Sequence, residues 1–380
     1  MSFSQRATAL LQLPVSPLTW DGILNECDRL HADFLHIPSE FKWALDYKRF
    51  QVERDRGNNG LALAHLKAAI AATPYNADIL GDYQELVKKT AGLEKMVLII
   101  SSKRTESQAL RLADQFDQAD IDYVIVSGAD TPSIGHFRAL QVDASDKYEA
   151  RPQKVAAAFA WIYENIGGNV GVMKIDDDML LLDAAQFKRS LAQFSGETLY
   201  TGVPSVTLSH DRCQHWGLCQ DRELNRRVYG RPVLAPWAIG GAYYLGPKAV
   251  EKLVLATLRF PGLFEGEYYE DKLVGDILVF ESVSLTAVPG FNAFGLSMPG
   301  LASPPPAAHS AAAPVAMPPS VPVPPAAKPS TLAVKSANPA PATTAAGQSA
   351  AVSARPKKRL DLTGLGSPLK VSPASDGNGK

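Results

Sequence analysis

Before residue 95 the apolar positions recur at helical spacing, and after it they bunch into short continuous runs. From Ser39 onward, Trp43, Tyr47 and Phe50 fall four and three residues apart, and the Gly57-Asn58-Asn59-Gly60 breaker closes that helix. Ala62, Leu66 and Ala69 mark a second helix ending at Pro74, and a third stretch runs from about Ala77 to Lys89. The second helix matches the later half of a tetratricopeptide repeat. A plain helical hairpin is preferred, because stacked repeats need about three units and the chain offers one. Met96-Val97-Leu98-Ile99-Ile100 then reads as a strand buried on both faces. Residues 106–118 read as a helix, Tyr123-Val124-Ile125-Val126 as a second strand, and Lys154 to Asn165 as a long helix capped by Gly167-Gly168. Val170 to Ile175 is a further apolar strand, and its carboxyl end runs into Asp176-Asp177-Asp178. The expected class is α/β: a nucleotide-binding domain over 95–300 with a mostly parallel central sheet, preceded by a small helical region over 1–94.

Composition changes at residue 301. Residues 301–380 contain no Phe, Trp or Tyr and hold 15 of the 28 prolines, so this segment is expected to be a disordered tail without a core. It carries 8 Lys/Arg against 2 Asp, a charge of +6 that leaves −7 on the first 300 residues. An acidic body argues against nucleic acid as a partner. The tail's basic cluster Arg355-Pro356-Lys357-Lys358-Arg359 reads as a solvated linker or as a docking site for a protein partner, the linker being favoured. Three cysteines are too few for a disulfide framework. Neither a signal peptide nor an apolar run of about 18 residues occurs, so a cytoplasmic protein without a transmembrane segment is expected.

The chemistry concentrates at two acidic elements. Adjacent carboxylates at a strand end repel unless something neutralises them, and a hard divalent cation, Mg²⁺ or Mn²⁺, would do so together with substrate phosphates. Alternation along an extended segment would turn Asp176 and Asp178 to one site and Asp177 away. Aspartates after a strand can equally cap the next helix, and Asp183 shows that the region is acid-rich. The second element, Glu270-Asp271, precedes an apparent helix, where a carboxylate serves as a general base or as a cap. Between them lies Trp237-Ala238-Ile239-Gly240-Gly241-Ala242-Tyr243-Tyr244-Leu245, whose glycines permit close backbone approach or mark a bulge, and whose rings can stack on a sugar. His210, Cys213, His215 and Cys219 have zinc-ligand chemistry at a poor spacing, so a loop against the acceptor is preferred there; Arg222, Arg226, Arg227 and Arg231 in it read as solvated or as binding an anionic acceptor.

In order and spacing these elements resemble the inverting β-1,3-galactosyltransferase and Fringe family, which adopts the GT-A fold. Lys174-Ile175-Asp176-Asp177-Asp178 resembles its K-T-D-D-D, Leu199-Tyr200-Thr201-Gly202 its L-Y-x-G, and Pro236 through Leu245 its P-x-x-x-G-G-x-Y-x-L. Glu270-Asp271-Lys272-Leu273-Val274-Gly275 resembles E-D-V-Y-V-G, Asp146-Lys147-Tyr148 with Lys154 and Trp161 resembles D-x-Y-x-N-L-T-x-K with its later tryptophan, and Gln108-Ala109-Leu110-Arg111 is similar to Q-A-I-R. The chain departs from the family at Ala150-Arg151-Pro152, which replaces N-L-T, at Ala238, which replaces a cysteine, and in lacking the late metal-binding histidine. The resemblance implies a hexosyltransferase that moves galactose or an N-acetylhexosamine from a UDP-sugar donor to an acceptor hydroxyl. It implies Asp178 and Asp176 as ligands of Mn²⁺ or Mg²⁺ and Asp271, with Glu270 as competitor, as the base. Asp176, Arg111, Asp146 and Lys154 would face the nucleotide, and Trp237, Gly240 and Gly241 the sugar or acceptor. The acceptor is left open among glycan, lipid-linked and protein classes. The alternative is a non-catalytic scaffold carrying a relic transferase domain.

Overall fold

Five helices precede the first strand: α1 (Phe3–Gln12), α2 (Trp20–Asp33), α3 (Ser39–Asp55), α4 (Asn59–Ala72) and α5 (Ala77–Val87). The computed structural model describes residues 2–87, 95–205, 217–231 and 235–299, so the tail from 301, the end of the third helical stretch at 88–89, and His210, Cys213 and His215 lie outside the described residues. Gly57 turns the chain between α3 and α4 with φ +78°, a left-handed conformation that suits glycine. Phe50, Ala62, Leu66, Ala69 and Tyr83 do not form a core of their own; they pack with Met96, Leu98 and Val172 of the sheet and with Phe159 and Leu253 of the helices above it. Tyr83 stacks on Tyr163 and donates to Glu164 at 2.8 Å, and Lys67 pairs with the same carboxylate at 2.8 Å. The α3–α4 hairpin is thus docked on the α/β layer through shared apolar area, while α1 and α2 close a smaller core around Phe3, Ile23, Leu30 and Leu45.

Seven strands form the central sheet in the order β3-β2-β1-β4-β7-β6-β8. They are β1 (Lys95–Ile100), β2 (Tyr123–Gly128), β3 (Ala139–Val142), β4 (Gly171–Asp176), β6 (Tyr200–Pro204), β7 (Ala238–Leu245) and β8 (Thr286–Ala287); β5 (Leu180–Leu181) pairs separately with β9 (Leu296–Ser297). The first four sheet strands run parallel, β7 is antiparallel to both β4 and β6, and β8 is parallel to β6. The continuous apolar runs have their cause in helices on both faces. Leu98, Ile100, Val124, Val126 and Val172 point toward α7 (Arg151–Asn165), α9 (Pro247–Arg259) and α10 (Glu270–Phe280). Val97, Ile99, Ile125, Met173 and Ile175 point toward α6 (Glu106–Gln118) and α8 (Ala184–Gln193). α7 begins three residues before the expected Lys154, because Pro152 sits in its first turn, where a missing N–H costs nothing. Its end follows expectation: Gly167, with φ +138°, donates back to the Ile162 carbonyl at 3.1 Å. No helix among the described residues is long and apolar enough to cross a membrane.

Candidate active site

β4 lies inside the sheet between β1 and β7 and ends at Asp176, so its last residues emerge between the amino termini of α7 and α10. Lys174 and Asp176 share the face toward those helices. The Lys174 side chain is fully buried, and its ammonium lies 2.6 Å from Asp176 Oδ1 and 3.1 Å from Glu270 Oε2, donates to the Gly240 carbonyl, and sits 5.3 Å from the Tyr243 ring centre. Arg151, the first residue of α7, pairs with the same Asp176 oxygen. Asp176 is therefore neutralised by two cations of the chain itself.

The strand stops at Asp176, so alternation does not govern the rest of the triplet. Asp177 turns inward and accepts a 2.6 Å hydrogen bond from Ser101 Oγ, and burial pushes its carboxyl up. Asp178 is exposed and makes no ion pair with a described residue. The surrounding protein, and after it the Asp176 charge, raise its carboxyl, an effect that solvent reduces at an exposed position. Helix capping falls to Asp183 instead, which accepts from the Gln186 amide at 2.8 Å at the start of α8. Among the described residues no group of three or more His, Cys, Asp or Glu side chains is arranged to hold a metal ion.

Glu270 and Asp271 open α10 but have separate surroundings. Glu270 is buried, taking a hydrogen bond from Tyr243 Oη on one oxygen and Lys174 on the other. Asp271 is partly exposed; it accepts from the Gly240 amide at 3.0 Å and from the Lys272 amide at 2.9 Å. Burial first and the Glu270 charge second push its carboxyl up to about 6, against Lys174 and the two amides. The cap residue of α10 is Tyr269, whose side chain makes no capping bond; Asp271 takes the first-turn Lys272 amide, whereas Glu270 bonds only to side chains of β4 and β7. Tyr148 stands just ahead of α7, close enough to Arg151, Asp271 and Asp176 for their charges to act on its hydroxyl, which burial raises. The sequence reading assigned no role to Tyr148 or Arg151; the available signal was the Arg151 replacement within the N-L-T position.

The remaining expected residues divide between this cluster and the scaffold. Gly240 belongs to the cluster through its amide on Asp271 and its carbonyl on Lys174. Gly241 faces the other way, where an added Cβ would lie 2.2 Å from Met298 and 2.9 Å from Phe291. Both glycines lie where the β6–β7 pairing jumps from Gly202↔Tyr243 to Pro204↔Ala238, so the bulge reading holds as well. Asp146 accepts from the Lys103 amide at 3.0 Å, from the Gly128 amide and Thr131 Oγ1, and from Lys154 at 3.1 Å; Lys154 also donates to the Ser101 carbonyl at 2.6 Å. Burial opposes ionisation of Asp146, but the bonds from Thr131, Gly128, Lys103 and Lys154 outweigh it and hold the carboxyl low. These two side chains bind together the loops after β1, β2 and β3. Arg111 is exposed on α6, and no bond described joins it to the cluster. Trp237 is buried, with its Cβ against Gly275 of α10, rather than offered as a stacking surface. An alanine at 275 would set its Cβ 2.5 Å from the Trp237 Cβ and 3.2 Å from its Cα. Gly275→Ala is accordingly expected to lower stability by about 1–3 kcal/mol, as overpacking does; an unchanged urea midpoint would show that α10 is not pressed against that strand.

Glu149 accepts from the Gln220 and Asp221 amides at 3.0 Å each and so pins the segment after residue 216 beside α7. Cys219 in that segment is buried, and its thiol is pushed up to about 11, first by burial and then by Glu149 and Asp221, which removes it from nucleophilic chemistry near neutral pH. Arg222 and Arg227 are exposed, while Arg226 pairs with Glu223 and Arg231 with Glu267. A 760 Å³ cavity lies at the opposite end of the strands, beside Lys95, Asn169, Phe194 and Tyr244, and takes in none of the acidic cluster. Compared with known proteins, the chain matches no family model and no curated relative.

Proposed function

We propose that this protein is an inverting glycosyltransferase of GT-A type, similar to the β-1,3-galactosyltransferase and Fringe family, that moves galactose or an N-acetylhexosamine from a UDP-sugar to an acceptor hydroxyl. The observation that carries the reading is Asp271: a residue of intermediate exposure whose carboxylate is fixed by two backbone amides and pushed up to about 6, beside a strand end rich in carboxylates. A base of that strength is mostly ionised at pH 7 and still takes a proton in a transition state. The acceptor oxygen would bond to the anomeric carbon as the bond from that carbon to the phosphate oxygen breaks. The electron pair leaves with the diphosphate and the acceptor proton passes to Asp271. Glu270 supports this from behind, because its two partners hold it inside the protein and its charge raises Asp271.

A Mn²⁺ or Mg²⁺ ion would be held at Asp178 rather than across Asp176 and Asp178. Asp178 is the exposed carboxylate of the triplet, whereas Asp176 is engaged by Lys174 and Arg151. Such ions accept one carboxylate with substrate phosphates and waters. When bound, the ion would supply Lewis-acid neutralisation of the leaving diphosphate. The test is release of UDP from UDP-galactose, UDP-glucose, UDP-N-acetylglucosamine and UDP-N-acetylgalactosamine, with Mn²⁺ and a panel of acceptor glycans. Turnover of one donor supports the reading; neither turnover nor thermal stabilisation by any nucleotide sugar would leave the scaffold alternative in its place.

A further inference from the structure

Arg151 is charged, sits at the mouth of the acidic cluster, and is only partly satisfied. One guanidinium nitrogen, Nη2, pairs with Asp176, the Nε is buried without a hydrogen-bond partner, and 27 % of the side chain is exposed. Asp176 does not depend on it alone, since Lys174 holds the same oxygen at 2.6 Å. A guanidinium presents five donors in a planar fork, a shape matched by phosphate oxygens, so a second anion beside the exposed part of Arg151 would meet a fork that Asp176 does not fill. The amino terminus of α7 adds to this, as its cap residue Ala150 contributes no side-chain hydrogen bond to the first-turn amides.

We propose that Arg151 binds the diphosphate of the nucleotide donor, an inference that rests on the transferase reading above and adds a phosphate-binding residue to it. The guanidinium bridges Asp176 and the diphosphate, which ties the leaving group to the end of β4. Its contribution is separate from that of any divalent cation, so it is felt both with and without Mn²⁺.

Calorimetric titration of UDP, GDP, CDP, dTDP and free uridine into the full chain, in Mn²⁺ and in EDTA, tests this on the wild type, Arg151→Met and Arg151→Lys. The expected result is a loss of roughly 10- to 100-fold in nucleoside diphosphate affinity for Arg151→Met in each condition, the size of one charge-assisted contact, with partial recovery in Arg151→Lys and little change for uridine. If Arg151→Met does not fold, the double variant Arg151→Met/Asp176→Asn removes both charges of the pair and is expected to show the same loss. A folded variant that binds diphosphates within about twofold of wild type, or that loses uridine to the same extent, overturns the role of Arg151 while leaving the transferase reading intact. Failure of every nucleoside diphosphate to bind the wild type in either condition overturns both.

Discussion

Replacing Asp271 by Asn is expected to lower sugar transfer by roughly 10²–10⁴-fold, the usual contribution of a positioned base, with donor affinity nearly unchanged. Asparagine keeps the size of the side chain and one oxygen to accept from the Gly240 or Lys272 amide, so the start of α10 should remain in place. The wild-type rate should rise with pH through about 6, where Asp271 ionises, and the variant should lack that limb. Stability should move in the opposite sense. A carboxyl raised in the folded state is favourable below its unfolded value of about 4 and loses that advantage as pH rises through about 6. The stability of Asp271→Asn relative to wild type should therefore increase between pH 4 and 7, by at most about 3 kcal/mol, less whatever water reaches the exposed part of the group. Glu270→Gln is the comparison. It loses charge against buried Lys174, so its cost should be in stability more than in rate. Turnover measured for both variants decides between them: a near-normal rate in Asp271→Asn with collapse in Glu270→Gln would transfer the base to Glu270.

Lys174→Met should destabilise the fold by about 3–5 kcal/mol, the cost of leaving a buried charge without its partner. Lys174 is fully buried, and its ammonium is the one cation that touches both Asp176 and Glu270 among the described residues. Methionine follows the same path and fills most of the volume, so the loss isolates charge from packing. Two effects should accompany it: Glu270 keeps only its Tyr243 partner, and Asp176 keeps only Arg151. Denaturant unfolding at neutral pH reads the loss directly. A variant within about 1 kcal/mol of wild type would mean that β4 and α10 are held together by apolar contact alone. Partial recovery in the double variant Lys174→Met/Glu270→Gln would trace the cost to that carboxylate.

The elements that sequence alone determined are those whose cause is local. Met96–Ile100 and Val170–Ile175 read as strands because a segment covered on both faces must be apolar at every position, and both are strands of the central sheet. The helix ending at Gly167 was legible for the same reason, since a glycine is needed where the chain turns back. The acidic triplet and Glu270-Asp271 were legible as candidates by residue type. Which partners each carboxylate meets depends on residues far away in the chain. Lys174 meets Glu270 across 96 positions and Arg151 meets Asp176 across α7 and β4. The charges that balance Asp176 are thus supplied by the protein, where the sequence pattern alone suggested a metal. Likewise Asp146 and Lys154 became ties between loops, and Trp237 became packing for α10, once their partners were in place. The direction of β7, antiparallel between β4 and β6, also has no local signature, because an apolar strand reads the same in either direction. Burial depends on composition within a few residues, but the free energy of a charge depends on every charge and dipole within several ångströms, and only the folded chain determines which those are.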